Sequence, residues 1–284
     1  MDCEICHGTR WKSVIVDGVE RLTRCDCWRE ELVTQQLAAS RIPKQFARAE
    51  LATFEGRGSN LKLEAYRLAA KFVNDFPVVD QGLLFYGPHG VGKTHLAVGI
   101  LKEAIRKKGA RGFFFETRDL LRMVRDTYNA KVEDRELDVL KPVLEADLLI
   151  LDDLGAEKTS EWVQETLGFV INTRYNGQRP TIVTTNLSDN LDDDDPRSFV
   201  FQVGSRSRSR LREMCTWVEI GGVDVRGVGV DAPAEKLVAL ERAEAAKAKK
   251  AGGHPKGMAK ARLRDSGKQL ELSWPGGKAG SGSR

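Results

Sequence analysis

Apolar positions along the chain fall into two rhythms. Short, nearly uncharged runs at Gly82–Tyr86, Gly112–Glu116, Asp147–Asp153 and Thr181–Asn186 read as buried strands. Between them lie stretches with apolar residues every three or four positions, which predict helices over Leu61–Phe76, Thr94–Lys108, Thr117–Tyr128, Val132–Leu144 and Thr159–Tyr175. Ser160 opens the last of these and Gly177 with Pro180 closes it. Strands alternating with helices predict an α/β domain built on a parallel sheet. Ser205–Arg212 looks like an Arg/Ser repeat, yet Leu211, Met214 and Cys215 continue it at helical spacing. We therefore read a helix over Ser205–Cys215 and a last strand over Thr216–Ile220, with Asp192–Asp195 as a solvated acidic loop.

Ahead of this domain, Trp11–Val16 and Glu20–Arg24 form a predicted hairpin around Asp17-Gly18. Trp28–Ser40 is helix-like, and Arg41–Glu55 past the Pro43 breaker reads as an extended lead-in. Behind it, Ala, Lys, Glu and Gly dominate from Asp231, with a possible isolated helix over Ala234–Ala251 and few apolar residues beyond. The expected organisation is a cysteine-rich segment over 1–28, a linker helix over 29–48, a nucleotide-binding domain over 49–230 and a basic tail over 231–284.

Charge changes this picture in one respect. The net charge is +4, but the tail from Ala234 holds twelve Lys/Arg against five Asp/Glu, leaving −3 on the first 233 residues. The basic surplus is thus no argument that the central domain binds nucleic acid. No run approaches the ~20 apolar residues of a membrane span, and Met1-Asp2-Cys3-Glu4 is no signal peptide. We expect a cytoplasmic protein with reduced thiols and no membrane partner.

Between the first strand and its helix stands Gly87-Pro88-His89-Gly90-Val91-Gly92-Lys93-Thr94, the spacing G-x-x-x-x-G-K-T. Strand, glycine loop and helix in this order suit ATP: the backbone wraps the phosphates and its N–H groups face them at the helix N-terminus. Lys93 would reach the β- and γ-phosphates, and the Thr94 hydroxyl would take one Mg²⁺ position. The bland alternative is a glycine-rich turn. Asp152 and Asp153 end the third strand, where a parallel sheet delivers side chains to the edge at which the loop opens. Asp152 would hold Mg²⁺ through its water shell, and Asp153 would orient or deprotonate the attacking water. Asn186, at the tip of the next strand, can reach the γ-phosphate and the same water. Arg118, Arg122 and Arg125 share one helix face, either simply solvated or turned to DNA.

Cys3-x-x-Cys6 and Cys25-x-Cys27 are two close pairs separated by 18 residues, a zinc-ribbon-like pattern. Such a short segment cannot bury its own core, so a structural Zn²⁺ held by four thiolates would supply its folding energy. His7 is a substitute ligand or a bystander, and four unlinked thiols are the alternative.

Four blocks in order, the phosphate loop, Leu148–Gly155, Thr181–Asn186 and Ser209–Cys215, resemble the DnaC-like helicase loaders of the AAA+ ATPases and their IstB-type relatives. The resemblance runs from about Ile42 to Arg226. It implies an AAA+ αβα sandwich, nucleotide-dependent self-assembly and binding to single-stranded DNA beside a DnaB-type replicative helicase. By position, Lys93 and Thr94 match Walker A, Asp152 and Asp153 Walker B, and Asn186 sensor 1. Arg210 matches the arginine finger, with Arg206 the alternative, and Arg226 a sensor 2-like arginine. A finger acting in trans implies head-to-tail contacts between copies. The paired helices after the second strand match an initiator-type insertion, which favours Arg118, Arg122 and Arg125 near DNA. Asp153 departs from the usual Glu and is one methylene shorter, so hydrolysis is expected to be slow. The resemblance leaves three functions: a helicase loader, a transposition helper, and a zinc-ribbon nucleic-acid-binding module with a regulatory ATPase.

Overall fold

The computed structural model describes residues 3–226 apart from 10, 17, 55–59, 129–133, 190–194, 197 and 223, together with positions 239 and 243. Apart from those two positions, the basic tail lies outside the described residues, as does most of the acidic loop at Asp192–Asp195.

The chain opens with an antiparallel hairpin, β1 (Trp11–Val16) and β2 (Val19–Arg24), and helix α1 (Asp26–Ala39). Two 3₁₀ turns, Lys44–Phe46 and Leu51–Thr53, stand where an extended lead-in was expected. The physical reason is Lys102. Its buried ammonium donates to the carbonyls of Phe46, Ala47 and Ala49 at 3.2, 2.7 and 2.8 Å, and such convergence of carbonyls on one cation curls the backbone.

Then come α2 (Asn60–Asp75), β3 (Gly82–Tyr86), α3 (Lys93–Lys108), β4 (Gly112–Glu116), α4 (Thr117–Tyr128), α5 (Asp134–Glu145) and β5 (Leu148–Asp152). They are followed by α6 (Glu161–Asn176), β6 (Thr181–Thr185), α7 (Phe199–Val203), α8 (Ser205–Met214) and β7 (Cys215–Glu219). The Ser160 hydroxyl caps α6 by accepting from Val163 N. Helix α7 has no counterpart in the sequence reading, because five residues give no helical period to detect.

Strands β3 to β7 form one parallel sheet in the order β4-β5-β6-β3-β7. Every pairing in this sheet is parallel, so each connection must cross a face to return to the same end and brings its helix with it. Side chains alternate between two cores. Leu83, Phe85, Phe114, Leu148, Ile150 and Ile182 meet α2 and α3 on one face. Leu84, Phe115, Leu149, Leu151 and Val183 meet α4 to α8 on the other. Burial on both faces explains why the strands carry almost no charge, and it makes the domain an αβα sandwich. Helix α1 lies along the end of α3: Arg29 and Gln36 donate to the carbonyls of Lys107 and Gly109. Beyond α1, the Ser40 carbonyl accepts from Phe114 N at 2.8 Å, occupying a backbone donor on the outer edge of β4.

Arg174 is a buried cation that periodicity could not single out. Wholly enclosed, it donates to the carbonyls of Val143, Ala146 and Pro180 (2.9, 3.2 and 2.6 Å) and to the Thr181 hydroxyl (2.8 Å). Burial depresses its pKa to about 9, so it still carries its charge at neutral pH. It joins the end of α5, the end of α6 and the start of β6. Replacing it orphans several buried carbonyls at once. Arg174→Ala is expected to lower stability by on the order of 3 kcal/mol, read as a lower midpoint in chemical denaturation; an unchanged midpoint would refute this role.

Candidate nucleotide site and cysteine cluster

The loop after β3 wraps the start of α3, and its glycines are where they must be. Gly87 (φ 138°) passes so close to Ile220 that a Cβ there would lie 2.2 Å from the Ile220 carbonyl oxygen. Gly90 (φ 74°) faces the Asp224 carboxylate, 1.8 Å from where a Cβ would stand. At Gly87 the obstacle is backbone and no side chain fits; at Gly90 the left-handed φ itself favours glycine. Pro88 and His89 are exposed at the loop tip, Val91 is buried in the α2–α3 core, and Gly92 caps α3. The backbone after β7 is tied to the loop, since Val225 N donates to the Gly90 carbonyl at 3.1 Å. This places Arg226, itself exposed, near enough to Lys93 to disfavour that lysine's charge.

Lys93 is buried in the mouth of the loop. Its ammonium donates to the carbonyls of Gly87 and Pro88 and to Asn186 Oδ1, at 2.8, 2.6 and 2.7 Å. Burial pushes its pKa down to about 8, against the opposing pull of Asp153 and Asp152. The amide of Asn186 also donates to Asp153 Oδ1, so one side chain links the lysine to the second carboxylate. Asp153 sits at φ 53°, in the left-handed region where Asp is tolerated, and its N–H donates to the Thr184 hydroxyl at 2.9 Å.

Asp152 is the centre of the arrangement. Its Oδ1 accepts from the hydroxyls of Thr94 at 2.8 Å and Thr184 at 2.6 Å, and its backbone carbonyl accepts from Thr117 at 2.8 Å. Burial raises its pKa, the two hydroxyls oppose the rise, and Asp153 and Glu116 add to it. Glu116 ends β4 in register with Asp152, and burial followed by Asp119 and Asp153 raises its pKa too. A hydroxyl and closely set carboxylates are oxygen donors of the kind a hard divalent cation takes, and such a cation would relieve this crowding of negative charge. These residues therefore fit Mg²⁺.

Sequence reading anticipated Lys93, Thr94, Asp152, Asp153 and Asn186, and the structure brings all five together. It missed Thr184, which sits in mid-strand and looks like ordinary β-branched filler. It also missed Glu116, whose only signal was its place at a strand's C-terminal end.

The arginines are placed elsewhere. On α8, Arg210 directs its guanidinium at the Tyr175 ring, 5.9 Å from the centroid, and Arg206 is exposed. Arg118, Arg122 and Arg125 all lie on the exposed face of α4, opposite buried Leu120, Leu121 and Val124. Two of them are engaged: Arg118 pairs with Glu157, and Arg125 lies over Trp162 at 4.6 Å.

The four cysteines of the N-terminal segment converge as their spacing predicts. Cys3 and Cys25 sulfurs are 3.7 Å apart, those of Cys6 and Cys27 3.4 Å, and all four lie within 4.8 Å of one another. A tetrahedral zinc with bonds of ~2.3 Å needs sulfurs roughly 3.8 Å apart. The cluster is compatible with zinc. The turn after Cys3 is fixed by His7 N and Thr9 N, which donate to the carbonyls of Cys3 and Cys6. His7 is exposed and is not one of the clustered residues.

The model of the IstB-like ATP binding protein family matches residues 20–193. The chain belongs to that family. Proteins similar to it include YqaM, an uncharacterized protein of Bacillus subtilis strain 168, 26% identical over 206 residues, which are 68% of this chain and 60% of the relative. The replicative helicase loader DnaC of Escherichia coli K12 is 26% identical over 126 residues, 44% of this chain and 50% of the relative. The chain thus spans about half to three-fifths of the length of these two relatives. Among solved structures, a crystal structure of the DnaC helicase loader is 35% identical with a TM-score of 0.56, covering 63% of this chain and all of that one. Fold and family are therefore those of a DnaC/IstB-like AAA+ ATPase. Among the described residues no helix is long and apolar enough to cross a membrane.

Proposed function

We propose that this chain is an ATP-driven assembly switch that loads a DnaB-type replicative helicase onto single-stranded DNA. The observation that carries the reading is the 35% identity to a DnaC helicase loader over that structure's whole length. It is supported by the joined arrangement of Lys93, Thr94, Asp152, Asp153 and Asn186 at one sheet edge.

In this reading the loop backbone of Gly87–Thr94 holds the ATP phosphates, and Lys93 exchanges its carbonyl partners for phosphate oxygens. Thr94 and, through its water shell, Asp152 would hold Mg²⁺, which would supply positive charge against the phosphate oxygens. Asp153 orients and deprotonates the attacking water, and Asn186, already bound to it, fixes its direction. Arg226 reaches the nucleotide from the backbone strapped to Gly90. Arg210 stands outside this cluster and completes the site of a neighbouring copy in a head-to-tail assembly. The exposed face of Arg118, Arg122 and Arg125 meets DNA phosphates, and Cys3, Cys6, Cys25 and Cys27 hold a structural Zn²⁺. Turnover is slow and stimulated by the partner, because the carboxylate of Asp153 reaches less far than that of Glu.

Nucleotide binding has a pH signature. The free Lys93 titrates at about 8, and a bound triphosphate raises that value because it stabilises the ammonium. Below pH 8 the lysine is charged with or without ATP and affinity is flat. Above it, binding takes up a proton, so affinity falls as pH rises. Calorimetry in buffers of different ionisation enthalpy is expected to show proton uptake at pH 9 and little at pH 7. Lys93→Ala should abolish the uptake and lower ATP affinity by about two orders of magnitude. Normal ATP binding by that variant would sink the nucleotide site.

Metal analysis of the full chain is expected to find one zinc, lost in Cys25→Ser; a content well below one per chain and indifferent to Cys25 would reject the cluster as a zinc site. The loader function is tested by capture of the host's replicative helicase with and without Mg²⁺-ATP. Nucleotide-dependent capture, lost in Lys93→Ala, is the expected result. Failure to retain the helicase under either condition, with a transposase retained instead, would move the protein to the transposition-helper role.

A further inference from the structure

We infer that Asp189 is a positioning residue that aims Arg210 at the nucleotide site of a neighbouring copy. The inference rests on the trans role proposed above for Arg210.

Helix α8 carries four arginines at alternate positions, 206, 208, 210 and 212. At 100° per residue, Arg208 and Arg212 share one face, and Arg206 and Arg210 lie on the other. The two faces are treated differently. Arg208 and Arg212 both converge on the single carboxylate of Asp189: Arg208 donates through Nε at 2.8 Å and lies 2.7 Å away through its second nitrogen, and Arg212 takes the other oxygen. The same pair flanks the Trp217 indole, Arg212 at 4.0 Å and Arg208 at 6.0 Å, and that indole donates to the Leu211 carbonyl at 3.1 Å. With Arg208 and Arg212 pinned, Arg210 is turned to the opposite side, toward Tyr175.

Asp189 is itself held from the nucleotide side. It lies three residues beyond Asn186. Ser188 accepts from Phe199 N at 3.1 Å, and Leu187 packs so tightly on Gly155 that a Cβ there would lie 2.2 Å from its methyl group. Gly155 in turn follows the Asp152-Asp153 turn. One short loop therefore runs from the chain's own site to the helix bearing the arginine offered to the next. Removing the carboxylate breaks the tie between α8 and the loop after β6 and leaves Arg208 and Arg212 held only by the Trp217 ring, which loosens the setting of the helix. Misplacing a positioned catalytic group by about an ångström costs up to ~10²-fold in rate.

The test is subunit complementation, using the full-length chain and Mg²⁺-ATP turnover. Asp189→Ala is expected to bind ATP within about twofold of the unaltered chain and to lose about tenfold to a hundredfold in turnover. Mixed with Lys93→Ala, whose own site is dead but whose Arg210 is correctly aimed, it should recover. Arg210→Ala mixed with Lys93→Ala should recover likewise. If Arg210→Ala recovers and Asp189→Ala does not, or if Asp189→Ala has lost ATP binding, Asp189 serves its own site and the inference is overturned. If Arg210→Ala alone turns over ATP normally, the trans role of Arg210 falls, and the role of Asp189 with it. Should Asp189→Ala fail to fold, Arg208→Met reads the same contact from the helix side, with the same pattern expected and the same results overturning it.

Discussion

The arrangement depends on a carboxylate held out of water. Asp152 is buried at the end of β5, and two threonine hydroxyls from different elements converge on one of its oxygens. One, Thr94, belongs to the helix after the phosphate loop; the other, Thr184, belongs to the neighbouring strand. A buried charge without such donors would cost several kcal/mol. The two hydroxyls therefore satisfy the charge and lock β5, β6 and α3 into mutual register. The phosphate loop is positioned by this contact as much as by its own glycines.

Around that centre the site divides into a held part and an offered part. Lys93, Asn186 and Asp153 form a chain of hydrogen bonds on one subunit. Arg206 and Arg210 face away from it, on a helix steadied by Asp189.

Much of this was legible in the residues, for identifiable reasons. Strands buried on both faces carry almost no charge before their last residue, so Gly82–Tyr86 and Gly112–Glu116 could be bounded to the residue. The loop spacing and the paired acids follow from chemistry that tolerates few alternatives, and the four cysteines converge as their spacing predicted. What escaped were residues whose importance comes only from contact. Thr184 looks like any strand threonine, and Arg174 and Lys102 look like surface cations on amphipathic helices. Their partners are backbone carbonyls, which carry no sequence signature. The lead-in over Arg41–Glu55 was misread as extended for that reason: the lysine that curls it lies some fifty residues downstream.

Ser40 carries a consequence of a different kind. A parallel sheet ends in strands with unpaired N–H and C=O groups, and an open edge invites another chain to add itself as a further strand. At β4 the Ser40 carbonyl already occupies the Phe114 donor, and the turn after α1 stands in the space an added strand would need. Sheet extension at this margin is blocked by the chain's own N-terminal segment.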